Sequence, residues 1–251
     1  LRTRRQRQMC IRDRTKAVEA ITGYFASALT FNNDGTKMYT SSMLASGTDD
    51  KVYEYDLTTA YNISTATLRT SLHVGSYPPP GESNTGNHGA MQVVFNNDGT
   101  KMFIADHNRN IIEWTLTTPY DIDTASTTFN LGQSFDTGGQ EKRPTSVAFN
   151  NDGTKMYVAG NGKNNSNVGE VNEYTLDTPF VITSGVTHIN TEDLSSDHSY
   201  IDGIVFNYDG TKMYTTDSGD NIINQYKLTT AFDVSTLSLE GTLELSNYSG
   251  L

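Results

Sequence analysis

The sequence predicts an all-β fold, a β-propeller of four-stranded antiparallel blades, and three observations carry that prediction. A motif Phe-Asn-x-Asp-Gly-Thr-Lys-Met-Tyr/Phe begins at Phe31, Phe95, Phe149 and Phe206, at spacings of 64, 54 and 57 residues. That period is the size of one supersecondary unit, and repetition at such a period marks a repeat architecture. Each copy is followed by a short strand ending in Leu, and the apolar alternation never runs long enough for a helix-rich domain. The composition agrees, with 21 Gly, 14 Tyr and 10 Phe among many Thr, Asn and Ser.

Each unit reads as four strands. The first is short and apolar, as in Val93 to Phe95 and Ser146 to Phe149, and enters a tight turn at Asn-Asn-Asp-Gly or, in the last copy, Asn-Tyr-Asp-Gly. Gly accepts the positive φ that such turns require. The second strand is Lys-Met-Tyr/Phe-x-x. The third is Val52 to Leu57, Ile112 to Leu116, Asn172 to Leu176 and Asn224 to Leu228, with its aromatic and Leu two residues apart on one face. A Thr/Asp-Thr-Ala/Pro-Tyr/Phe turn then leads into a Thr/Ser-rich fourth strand. One such sheet cannot bury both of its faces, and stacking sheets around an axis solves the problem. The blades are placed at about residues 21–80, 81–135, 136–195 and 196–251. Four repeats, set against the larger rings more usual among propellers, predict a piece of a larger ring.

The Phe-Asn-x-Asp-Gly-Thr-Lys-Met-Tyr hairpin followed by a Glu-Tyr-x-Leu strand resembles the bacterial and phage β-propeller repeats of the YVTN and WD-repeat-like superfamily. The resemblance covers nearly all of residues 21–251. It implies a propeller and leaves function open, because the superfamily spans lactonase-like enzymes, surface-layer proteins and binding modules.

Residues that recur in every copy are expected to be scaffold. Asp34, Asp98, Asp152 and Asp209, with Lys37, Lys101, Lys155 and Lys212, suit turn capping and a local ion pair. Glu54, Glu113 and Glu173, replaced by Gln225 in the last copy, suit cross-strand pairing, and Trp114 replaces Tyr55, Tyr174 and Tyr226 as a core residue. The copies differ in the loops that enter the first strands and those that join second to third strands, which a propeller gathers on one face. The entry loops carry Tyr24 and Phe25, His88, Lys142 and Arg143, then His198, Tyr200 and Asp202. The second-to-third loops carry Asp49 and Asp50, Asp106, His107 and Arg109, the run Asn161 to Asn167, and Asp217 and Asp220. From these, Tyr24, His88, Asp106, His107, Arg109, Arg143, His198, Tyr200 and Asp202 are the candidate ligand-binding residues, aromatic and polar groups suited to a sugar or peptide. His88, His107 and His198, with Asp106 or Asp202, are the set that a metal site would draw on, but no ligand spacing supports one, and no metal or other cofactor is expected. No nucleophile elbow, phosphate-binding loop or His-Glu-x-x-His is present.

Residues 1–14 differ from the rest, with six Arg and Cys10, the only cysteine. Arg4 to Asp13 resembles a translated transposase-type sequencing adapter, so the segment is set apart from the fold and a true N-terminus is expected to be missing. Without it the chain has 12 Lys plus Arg against 28 Asp plus Glu, a formal charge of −16. Such a surface repels nucleic acid and anionic membrane. No stretch approaches the length of a membrane helix, so no membrane insertion is expected. The expectation is a non-enzymatic binding or structural module, extracellular, on a cell surface or on a virion, with a carbohydrate or protein partner. A lactonase-like or other metal-assisted hydrolase is the alternative.

Overall fold

The computed structural model describes residues 24–44, 50–74, 89–125, 133–162 and 169–245. The adapter-like segment, Asp49, His88 and residues 163–168 of the Asn-rich run lie outside the described residues, as does the side chain of Tyr24. Sixteen strands form four antiparallel sheets, each a simple meander: β1 (Tyr24–Phe31) to β4 (Ala66–His73) by way of β2 (Lys37–Leu44) and β3 (Lys51–Leu57); and β5 (Ala90–Phe95), β6 (Lys101–Asp106), β7 (Asn110–Thr115) and β8 (Ser134–Asp136). The third sheet is β9 (Pro144–Phe149), β10 (Lys155–Gly160), β11 (Glu170–Leu176) and β12 (Val186–Asp193), and the fourth is β13 (Gly203–Phe206), β14 (Lys212–Asp217), β15 (Ile222–Leu228) and β16 (Leu237–Glu244). The four sheets are arranged as the blades of a β-propeller, as the repeat predicts. No helix among the described residues is long and apolar enough to cross a membrane.

The repeated motif builds the first hairpin of each blade. In the second blade Asp98 Oδ1 accepts from the Thr100 amide at 2.9 Å and from its hydroxyl at 2.6 Å, while Asn96 Oδ1 accepts from the Lys101 amide at 2.9 Å. These donors hold the Asp98 carboxyl below its ordinary range, against the smaller opposing effect of burial. Asp34, Asp152 and Asp209 bond identically to Thr36, Thr154 and Thr211. Gly99 sits at φ 72°, and a Cβ there would fall inside the ring of Tyr120. Tyr120 is itself left-handed, at φ 58°, and donates its amide to the Gly99 carbonyl at 2.8 Å. The Thr-Pro-Tyr/Phe turn is therefore a lid on the Asp-Gly turn.

The core lies between blades. Each interface joins the second-strand ring of one blade to two rings of the next: Tyr39 with Phe95 and Tyr120, Phe103 with Phe149 and Phe180, and Tyr157 with Phe206 and Phe232. Centroid separations of 4.5 to 5.6 Å and tilted planes suit edge-to-face attraction between rings. The lysine does not pair with the turn aspartate. Lys101 and Lys155 bond the buried Glu113 and Glu173 at 2.6 and 2.5 Å, and Lys37 bonds Glu54. The other oxygen of each glutamate crosses to the following blade, accepting from the amides of Ile122 at 2.9 Å, Ile182 at 3.1 Å and Val234 at 3.1 Å. Asn33, Asn97 and Asn151 add side-chain donations to the carbonyls of Asn97, Asn151 and Tyr208. The pairing expected across strands is thus also the latch between blades.

Among the described residues the first and fourth blades do not meet in this way. Leu29 and Ile63 are 63% and 56% exposed, whereas their counterparts Val93 and Ile122, Val147 and Ile182, and Ile204 and Val234 are at most 1% exposed. In the fourth blade Gln225 bonds Glu240 and Lys212 pairs with Glu240 at 2.8 Å, so the acid has moved from the third strand to the fourth.

Replacing Glu113 by Ala leaves Lys101 without its carboxylate and the Ile182 amide without its acceptor. Chemical denaturation is expected to show a loss of about 3 kcal/mol, in the range for breaking a buried ion pair. Gln225→Ala, which removes a bond only to Glu240 of the same blade, should stay within about 0.5 kcal/mol of the parent.

Candidate functional site

Among the described residues the entry loop and the second-to-third loop meet at one end of the second, third and fourth blades, and a buried carboxylate joins them in each. In the second blade Asp106 Oδ1 accepts from the Gly89 and Asn108 amides at 3.3 and 3.2 Å. In the fourth, Asp217 accepts from the amides of Ser199, Tyr200, Gly219 and Asp220 at 2.7 to 3.3 Å. Burial alone would raise Asp217, but these donors hold it below the ordinary carboxylate range. The third blade has Gly160 at this position, and the vacated space is filled by Glu141 from the entry loop, accepting from Arg143 N at 2.8 Å and Gly162 N at 2.9 Å. Burial outweighs those bonds and pushes the Glu141 carboxyl up. One anion at one point in space thus comes from different places in the repeat.

The candidate residues fall into separate corners. Asp106, His107 and Arg109 belong to the turn between β6 and β7, where Arg109 is left-handed at φ 67° and pairs with Asp136 at 3.3 Å. His107 is half-buried, and burial, with the Arg143 charge adding to it, lowers its affinity for a proton. Arg143 is exposed on the third entry loop. The remaining three stand together in the fourth blade. His198 is buried, with Nε2 2.6 Å from Thr215 Oγ1 and 3.2 Å from Asn224 Nδ2, and Nδ1 3.7 Å from Asp217. The Tyr200 hydroxyl lies 3.2 Å from Ser218 Oγ, and Asp202 Oδ2 accepts from the Ser218 amide at 2.6 Å. Tyr24 pairs through its backbone with Leu44 at the start of β1.

A cavity of about 370 Å³ opens beside this last corner, lined by Asp202, Thr216, Asp217, Ser218, Asn221 and Ile222, by Leu245, and by Ser27 and Met91 from the first and second blades. Ser27 and Met91 sit at register shifts in β1 and β5, and a bulge re-aims a side chain. Of the candidates whose side chains lie among the described residues, Asp202 alone lines this cavity. Its Oδ1 makes no hydrogen bond among the described residues, whereas both oxygens of Asp217 are engaged. Among the described residues no lysine, arginine or histidine lines the cavity. A second, smaller cavity of about 260 Å³ lies along the inner strands of blades two to four. There Gln92 Oε1 accepts from Ser146 Oγ and the Val147 amide, and Ser146 Oγ accepts from the Ile204 amide, so its polar groups tie blades together. Among the described residues no group of three or more His, Cys, Asp and Glu side chains is placed to hold a metal ion.

No protein-family model and no curated protein matches the chain. Many solved structures do. A periplasmic gluconolactonase of Pseudomonas aeruginosa superposes with a TM-score of 0.57 at 13% identity, over 88% of this chain and 57% of that one. A protein of Bacteroides fragilis provisionally named a 6-phosphogluconolactonase gives 0.54 at 14% identity, over 87% and 70%. One so named from Bacteroides uniformis gives 0.51 at 12%, over 87% and 57%. The chain therefore spans between just over half and about two thirds of the length of these structures, and the likeness is one of fold.

The fourth-blade corner is expected to be acid-sensitive. Burial holds His198 below its ordinary value of 6.5, with Asp217, Asp197 and Asp220 opposing that shift. A group whose folded value is depressed contributes stability that is whole above the unfolded value and lost as pH falls toward the folded one. Melting temperature should therefore drop as pH falls below 6.5. His198→Asn should flatten that drop, and an unchanged profile in the variant would show that His198 does not carry it.

Proposed function

We propose that the cavity beside Asp202 binds a neutral polyhydroxylated ligand, a sugar or a sugar lactone. The observation that carries this reading is the lining: the hydroxyls of Ser27, Thr216 and Ser218, the Asn221 amide and the open oxygen of Asp202, set beside the apolar Met91, Ile222 and Leu245. Hydroxyl-rich ligands combine hydrogen-bonding edges with apolar C–H faces, and pockets of this mixed kind fix orientation through a few placed polar groups. Two carboxylates, with no cation on the wall among the described residues, disfavour a phosphorylated or carboxylated ligand, because each added anion meets like charge in a partly desolvated site. Of the partners expected from the sequence, carbohydrate is favoured over protein for this reason.

Binding without turnover is the first reading, in keeping with a surface or virion module of the YVTN and WD-repeat-like kind. Hydrolysis of a neutral lactone is the second. Its support is the shared fold with a structure named as a gluconolactonase, together with Asp202, whose Oδ1, without a hydrogen bond among the described residues, would take a proton from water attacking a lactone carbonyl. The attack forms a C–O bond, the ring C–O bond breaks, and the proton leaves the water for Asp202 before passing to the departing alkoxide. The two readings share a site and differ in turnover.

Titration calorimetry with neutral monosaccharides and with glucono-1,5-lactone tests both, with base uptake during ring opening recorded in parallel. Binding of the neutral compounds is expected, with 6-phosphogluconolactone binding at least about tenfold more weakly, a difference of about 1.4 kcal/mol. Asp202→Asn should weaken sugar binding by a similar factor. If lactone opening runs above the spontaneous rate and Asp202→Asn abolishes it, hydrolysis is the function. Preference for the phosphorylated lactone, or binding untouched by Asp202→Asn, would overturn the assignment of the ligand class.

A further inference from the structure

The sequence holds one Asn-Gly pair, Asn161 and Gly162, and it falls where the third blade departs from its neighbours. In the second and fourth blades the amide two residues beyond the buried aspartate donates to it, Asn108 to Asp106 at 3.2 Å and Gly219 to Asp217 at 2.7 Å. In the third blade Gly160 stands at the aspartate position, and the Gly162 amide donates instead to Glu141 Oε2 at 2.9 Å. The residue before that amide is His107 in the second blade and Ser218 in the fourth, neither of which has a side-chain carbonyl. In the third it is Asn161, whose carboxamide carbon is a single five-membered ring closure from the Gly162 nitrogen.

The surroundings favour that closure. Gly162 lies at φ 78° and has no Cβ, so its nitrogen is open to close approach. Asn161 Oδ1 is buried and accepts no hydrogen bond among the described residues, so its carbonyl is not tied back from the main chain. Glu141 is wholly buried and held in place, its Oε1 accepting from the Arg143 amide at 2.8 Å while Oε2 faces the Gly162 N–H. Burial, with the Glu170 charge adding to it, raises the affinity of Glu141 for a proton, which makes its carboxylate a stronger base. The four Asp-Gly turns of the repeat are placed differently. Their glycine amides donate to the main-chain carbonyls of Asn32, Asn96, Asn150 and Asn207, and their aspartates are bound by Thr36, Thr100, Thr154 and Thr211.

The geometry points to Asn161 and Gly162 as a site of self-modification, a deamidation in which Glu141 is the general base. The Gly162 nitrogen gives its proton to Glu141 Oε2 and bonds to Asn161 Cγ, closing a cyclic imide. The Cγ–Nδ2 bond breaks, and Nδ2 leaves as ammonia with the proton that Glu141 returns. Water then opens the imide at either carbonyl, leaving aspartate or isoaspartate in place of Asn161. The sequence of steps consumes one water and needs no other reagent. Its product adds a carboxylate to a residue whose main-chain amide also donates to Glu141, at the end of the blades where the copies differ.

Incubation of the whole chain at neutral pH tests this, with peptide mapping by mass spectrometry and enzymatic isoaspartate labelling as readouts. Replacement of the Asn161 amide by a carboxyl is expected to run faster in the folded chain than in the same chain unfolded in urea. The difference should exceed about tenfold, a modest share of what a positioned general base contributes. Glu141→Gln, checked for folding by circular dichroism, should bring the folded rate down to the unfolded one or below it. Should that variant fail to fold, the folded and unfolded parent still decide the matter between them. A parent that deamidates no faster folded than unfolded would overturn the proposal, as would a folded Glu141→Gln that keeps the parent's rate.

Discussion

The fold depends on one buried carboxylate per interface. Glu113 is tied within its own blade to Lys101 and across the boundary to the amide of Ile182, and Glu54 and Glu173 repeat the arrangement. A carboxylate taken out of water is tolerable only when its lone pairs are met, and here a lysine and one backbone donor meet them, with Arg69 as a second cation at Glu54. The backbone donor belongs to the following blade, so a blade's third strand is satisfied only when its neighbour is docked. The aromatic sets and the Asn side chains work at the same boundary. Stability is therefore shared between neighbours rather than held inside each sheet, the nearest-neighbour behaviour of repeat proteins.

The same economy of carboxylates shapes the candidate site. Asp106, Glu141 and Asp217 join entry loop to second-to-third loop in successive blades, and the substitution of Gly160 plus Glu141 for an aspartate keeps the anion while changing its origin. Much of the acidity of this end is thus committed to backbone amides. What distinguishes Asp202 is that one of its oxygens has no hydrogen bond among the described residues, and that it faces a cavity. A count of charges along the loops does not separate these two kinds of acid; only the hydrogen bonds do.

The repeat made the fold legible because the Asp-Gly turn, the aromatic of the following turn and the alternation of each strand are local features that recur in register. The partner of the repeated lysine was hidden for the opposite reason. Its glutamate lies 17, 12 or 18 residues away, depending on the loop between second and third strands, so no constant spacing announces the pair. The end of the molecule that varies was legible from the same repeat, but the grouping within it was not. His198, Tyr200 and Asp202 come together because one entry loop carries them, whereas Asp106, His107 and Arg109 are held in another blade by Gly89 and Asp136. Ser27 and Met91 reach the cavity through bulges, which shift register by one residue and leave no trace in composition.

The departures of the fourth copy carry the remaining information. Gln225 replaces the latch glutamate and Tyr208 replaces the bridging asparagine, and both changes fall at positions whose work is to hold a following blade. Had these positions merely decayed, Lys212 would be left without an acid. Instead Glu240 supplies one from the bulge of the fourth strand, the point at which the first blade carries Arg69 beside Glu54. The exchange of acid between strands keeps a carboxylate for the repeated lysine while changing its origin, as Glu141 does for the aspartate that Gly160 replaces.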